Sequence, residues 1–148
     1  MKTKLNLKQS LLAGFLAAIT AAVMNSTLFF IFHGAGVISD HIYPQPNQPM
    51  TVLPVIMASV VPALLASVIF YLLEKFTKNA FKIFGIVSLL LMLISMYGPF
   101  GVIPDVTTGY ALVLCVMHII VPAALLYFIY KAKQTKRIKH GNTSYQTI

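Results

Sequence analysis

Four runs of about twenty apolar residues, with no aspartate, glutamate, lysine or arginine in their interiors, leave this chain few folds to choose from. A segment of that kind in lipid must satisfy its own backbone hydrogen bonds, and an α-helix of ~20 residues does so while crossing ~30 Å of hydrocarbon. The runs lie at about 11–33, 51–73, 81–97 and 110–130. Charged residues make up 9% of the chain against 58% hydrophobic ones, a balance foreign to a soluble domain of 148 residues. The expected fold is an all-α membrane protein, one domain over 1–148, in which four transmembrane helices form a bundle. A basic tail over 131–148 should follow, unstructured past Gly141.

Residues 1–10 are polar and carry three lysines, like the start of a signal peptide. The apolar run behind them is much longer than the ~7–15 residues of a signal h-region, so it reads as an uncleaved first span. Within it Ala13, Ala17, Ala21 and Asn25 recur every fourth residue, beside a second stripe of Gly14, Ala18 and Ala22. Small side chains let helices approach closely in lipid. The natural partner is the Ser59, Ala63, Ser67 stripe of the second run. The third run is the least patterned and should be the most lipid-exposed.

Two echoes point to an internal duplication. Gly36-Val37-Ile38-Ser39-Asp40 returns as Gly101-Val102-Ile103-Pro104-Asp105, each after a long apolar run. Val61-Pro62-Ala63 returns 60 positions later as Val121-Pro122-Ala123, each inside the next run. The chain therefore reads as two similar helical hairpins in the same orientation. Pro62 and Pro122 lack an amide hydrogen, so the carbonyls of Ala58 and His118 lose their usual helical donors.

Charge sets the topology. All eleven Lys and Arg lie on one side, at the amino terminus, the 74–80 link, the start of the third run (Lys82) and the tail, whereas the opposite loops carry Asp40 and Asp105. The positive-inside rule places both termini in the cytoplasm, in a plasma membrane of bacterial inner-membrane type. The net charge of +8 is spread along helix ends with no basic domain or aromatic stripe, so no nucleic-acid partner is expected. Besides the bilayer itself, the partners expected are anionic lipid headgroups at the basic tail and a second copy or another membrane protein at the small-residue faces. Glu74, beside Lys75, reads as an interfacial ion.

Few residues offer chemistry. Asn25 and His118 fall at similar depth, roughly eight residues from the acidic side, and with Ser59, Pro62 and Pro122 they make the candidate ligand or pathway set. The plainer alternative is an Asn25–His118 hydrogen bond that only ties two helices together. His33, Asp40, His41 and Asp105 gather on the loop side, without a spacing suited to one metal ion, so no metal is expected. One buried histidine without a buried carboxylate, and the single Cys115, supply neither an activated nucleophile nor a redox pair. No catalysis and no cofactor are expected.

The layout, with its paired GVI-x-D and Val-Pro-Ala segments between Leu11 and Tyr130, resembles the small four-span bacterial membrane proteins grouped as domains of unknown function. That resemblance transfers no site residue. The function expected is non-catalytic, a binding or accessory subunit that packs with lipid, itself or a partner. The alternative is a small-solute transporter or channel component with its polar site at Asn25 and His118.

Overall fold

A computed structural model describes the backbone of residues 4–145 and the side chains of 4–138. The described residues form five helices: α1 (Leu7–Gly34), α2 (Val52–Phe76), α3 (Ala80–Ser95), the short α4 (Tyr97–Gly101) and α5 (Thr108–Tyr145). No strand occurs among them. With α3 and α4 taken as one span, four segments are long and apolar enough to cross a membrane.

The helix ends differ from the hydropathy limits for local reasons. α1 starts at Leu7 because Asn6 and Gln9 form a capping box: Gln9 N–H donates to Asn6 Oδ1 at 2.8 Å and Asn6 N–H to Gln9 Oε1 at 3.1 Å. α5 does not stop at Tyr130, and the unstructured tail expected past Gly141 is helical to Tyr145; residues 146–148 lie outside the described part. The lysines, glutamine and arginine after Tyr130 end the apolar run but are good helix formers, so polarity closes the span and not the helix. The second GVI-x-D segment is also only partly a loop, since Gly101 closes α4.

α1 packs along α2 and α5, and its buried face reads Ser10, Ala13, Gly14, Ala17, Ala18, Ala21, Asn25 and Phe29. The expected pairing with α2 is present: Ser59, Ala63 and Ser67 are all buried. At Gly14 the approach is close enough that a β-carbon would sit 2.3 Å from Ser67 Cβ. Such contact is what association in lipid rewards, because dispersion replaces the hydrophobic effect there.

Two clusters close the ends of the bundle. At the basic end, Ala13, Ala17, Phe70, Phe84, Leu125 and Ile129 pack together, with the Phe70 and Phe84 rings edge to face at 5.2 Å. At the loop end, Ile38 and Ile42 fold back onto Phe29, Val55, Tyr110 and Met117. Gly36 makes that turn possible with φ +73°, and the amides of Val37 and Ile38 both donate to Phe32 O. α3 is the most exposed span, as its lack of pattern implied. Only 11% of it is buried, against 22–33% of the others, and only Ala80 and Phe84 are buried in α3 itself.

Candidate functional site

Between α2, α3 and α5 lies a cavity of about 940 Å³. It begins at the loop end, where the exposed residues Gln45, Gln48 and Thr51 face Pro99 and Val102, and descends to Ala66 and Leu125 just above the Phe70–Phe84 contact. Its walls are mostly apolar. All five residues of the pathway set, Asn25, Ser59, Pro62, His118 and Pro122, lie in them.

Asn25 and His118 do not bond to each other. Asn25 Nδ2 donates to Ser59 Oγ at 2.9 Å and to Met117 O at 3.2 Å, which fastens α1 to both α2 and α5. The Ser59 hydroxyl is committed to Val55 O at 2.8 Å, so it can only accept from Asn25, and a carbonyl can only accept. Both contacts therefore require the amide nitrogen, which fixes the orientation of the side chain. Asn25 Oδ1 is buried with no hydrogen-bond partner among the described residues. His118 instead turns back along its own helix, with Nδ1 2.7 Å from Leu114 O. Because that partner is a carbonyl, Nδ1 carries the proton and Nε2 is left as an acceptor. The expectation of an Asn25–His118 bond misses by one residue: the amide reaches the Met117 carbonyl just before the histidine.

Elsewhere the polar residues do different work. On the loop side His33 Nε2 lies 3.0 Å from Asp40 Oδ1, and the His33 ring stacks on Phe29. The His41 amide donates to Ser39 Oγ, and Asp105 is exposed with φ +53°, a turn conformation that aspartate tolerates. Among the described residues no three His, Cys, Asp or Glu side chains are grouped to hold a metal ion.

Glu74 stands at the basic end of α2 as an ion, but a buried one. It is 3% exposed, and its partner is not the adjacent Lys75. One carboxylate oxygen is paired with Lys133 Nζ and the other accepts the Leu5 amide at 3.1 Å. Lys136 Nζ donates to Lys4 O and to Gln9 Oε1 beside it. This knot joins the start of α1, the end of α2 and α5 directly beneath Phe70, over whose ring Lys133 Nζ sits at 5.7 Å. The available signal was that Glu74 is the sole acidic residue on the basic side of the chain.

A family model described as a family of unknown function, DUF6069, matches residues 6–135. The chain belongs to this family. The match runs from the cap of α1 through the apolar part of α5, so the first three spans, the fourth as far as residue 135 and every wall of the cavity lie inside it. No curated protein and no solved structure matches the chain.

Proposed function

We propose that the protein is a non-catalytic membrane binding protein whose site is the cavity between α2, α3 and α5, and whose occupant is a small, largely apolar molecule. The observation that carries this reading is the cavity. Ligand sites are mostly apolar concavities of ~300–1,000 Å³ with a few placed polar groups, and this one has that size and make-up. α3, the least buried span, is the element that moves to admit an occupant. The exposed surfaces meet lipid or, in an accessory role, a partner subunit or a second copy.

Native mass spectrometry of detergent-purified protein tests this. Wild type should retain a small molecule or lipid that the cavity-filling variant Ala58→Phe loses. If the bare chain is all that either protein releases, and apolar probes do not bind, the binding reading is wrong.

A second reading, a pathway for a small solute, draws on the gathering of Asn25, Ser59 and His118 in one cavity above an aromatic floor. In that reading the Phe70–Phe84 contact is the closed gate, and Phe70→Ala should raise solute flux into proteoliposomes. A bacterial-type plasma membrane with both termini in the cytoplasm accords with the collection of basic residues at one end. Cysteine labelling at positions 78 and 105 of a Cys115→Ala background tests that orientation. Descent from a duplicated hairpin rests on the paired sequence segments, although Gly36 takes a positive φ while Gly101 is helical.

A further inference from the structure

We infer that the cavity selects molecules with an apolar body and a hydrogen-bond donor head, a hydroxyl or an ammonium, and rejects anions. This inference rests on the binding reading above and names the class of ligand. A census of the polar atoms below the mouth carries it.

His118 has spent its Nδ1 proton on Leu114 O, which leaves Nε2 as a lone-pair acceptor. The carbonyls of Ala58 and His118, both residues of the cavity wall, lack their usual helical donors because Pro62 and Pro122 have no N–H. The Ser59 and Ser95 hydroxyl protons are committed to Val55 O and Met92 O, the latter at 2.8 Å. Ser88 can act either way. No lysine, arginine or acidic side chain lines the cavity among the described residues. The surrounding charge has the same sense. The carboxylates at this end are Asp40, which meets the His33 imidazole, and Asp105, and every lysine and arginine described lies at the other end. A donor head finds unmet acceptors in His118 Nε2 and the freed carbonyls, whereas a carboxylate, sulfonate or phosphate finds below the mouth no free donor but the Ser88 hydroxyl and must give up its hydration.

The test uses the full chain in phosphatidylcholine nanodiscs, with empty nanodiscs subtracting simple partition. Three matched probes are compared by displacement of tritiated 4-octylphenol: 4-octylphenol itself, its methyl ether 4-octylanisole, and 4-octylbenzenesulfonate. The phenol should bind about tenfold more tightly than the ether, as one added hydrogen bond to an otherwise unmet acceptor implies, and the sulfonate should bind weakest. In His118→Leu the phenol-to-ether ratio should fall to about twofold with ether binding retained; that imidazole bonds only within its own helix, so the fold should persist. An ether that binds as well as the phenol, or a sulfonate that binds best, overturns the inference and leaves the cavity a binding site of another selectivity. If none of the three binds, the cavity reading itself falls, and the inference with it.

Discussion

Replacing Gly14 with alanine tests the interface on which the bundle is built. The added Cβ would sit 2.3 Å from Ser67 Cβ, 2.5 Å from Ser67 Oγ and 3.2 Å from Ala63 O. Carbon atoms rest ~3.5–4.0 Å apart, so α1 and α2 must separate locally by ~1.2 Å or more. Ser67 cannot rotate out of the way, because its Cβ is fixed to the backbone and its hydroxyl is held by Leu64 O at 2.7 Å. A gap of ~0.5–1 Å already forfeits a quarter to a half of each dispersion contact along the stripe. Overpacking costs ~1–3 kcal/mol, and alanine returns ~1 kcal/mol of helix propensity, which leaves a net loss of up to about 2 kcal/mol. Steric-trapping unfolding in bicelles measures it. Ser67→Gly should relieve the clash, so that a double-mutant cycle gives a favourable coupling of at least ~1 kcal/mol. A Gly14→Ala protein as stable as wild type, with no coupling to Ser67, would falsify the close-approach argument.

Three further perturbations probe the rest of the bundle by the same unfolding measurement. Glu74→Gln leaves Lys133 without its partner carboxylate; because Lys133 is 28% exposed, the cost should be about 2 kcal/mol and not the full ~3–5 kcal/mol of a buried pair, and pairing it with Lys133→Met should recover most of the loss. Asn25→Leu removes two interhelical bonds of ~0.6 kcal/mol each, so a loss near ~1 kcal/mol is expected; a loss above ~3 kcal/mol would mean that the amide does more than fasten helices. Asp105→Gly should leave the fold as stable as wild type or raise it by up to ~1 kcal/mol, and Asp105→Ala should lower it, since only glycine adopts φ +53° without steric cost.

The spans and the face that α1 buries were legible because both depend on properties local to a segment. Hydropathy over some twenty residues marks a membrane helix, and the size of every fourth side chain marks where a second helix can come near. The contrast between α1, with its stripe of alanines, and the exposed α3 followed from the same rule. What the residues could not disclose depends on how distant helices are rotated against each other. Lys133 meets Glu74 across 59 positions of sequence, while Lys75 next door points elsewhere. The Asn25 partner on α5 is a backbone carbonyl, a group that every residue has and no sequence pattern announces. The cavity lies where Ser88, Leu91, Met92 and Ser95 of α3 meet the walls of α2 and α5, and nothing in the α3 run of leucine, isoleucine and methionine encodes it. The polar residues around the cavity were identifiable one by one; their common acceptor character emerged only once each proton was traced to its partner.

The Glu74 knot also bears on how the protein is made. α1 and α2 are synthesised first and carry between them the whole stripe of close contacts, so this hairpin can form as soon as both are in the bilayer. Its basic end then holds the Leu5 amide on a carboxylate whose cation is still to come on α5, together with a Lys4 carbonyl that the same region of α5 engages through Lys136. Emergence of the last helix pairs the acid and engages the Lys4 carbonyl in one event. A chain that stops before residue 133 therefore carries Glu74 with the Leu5 amide but without its cation.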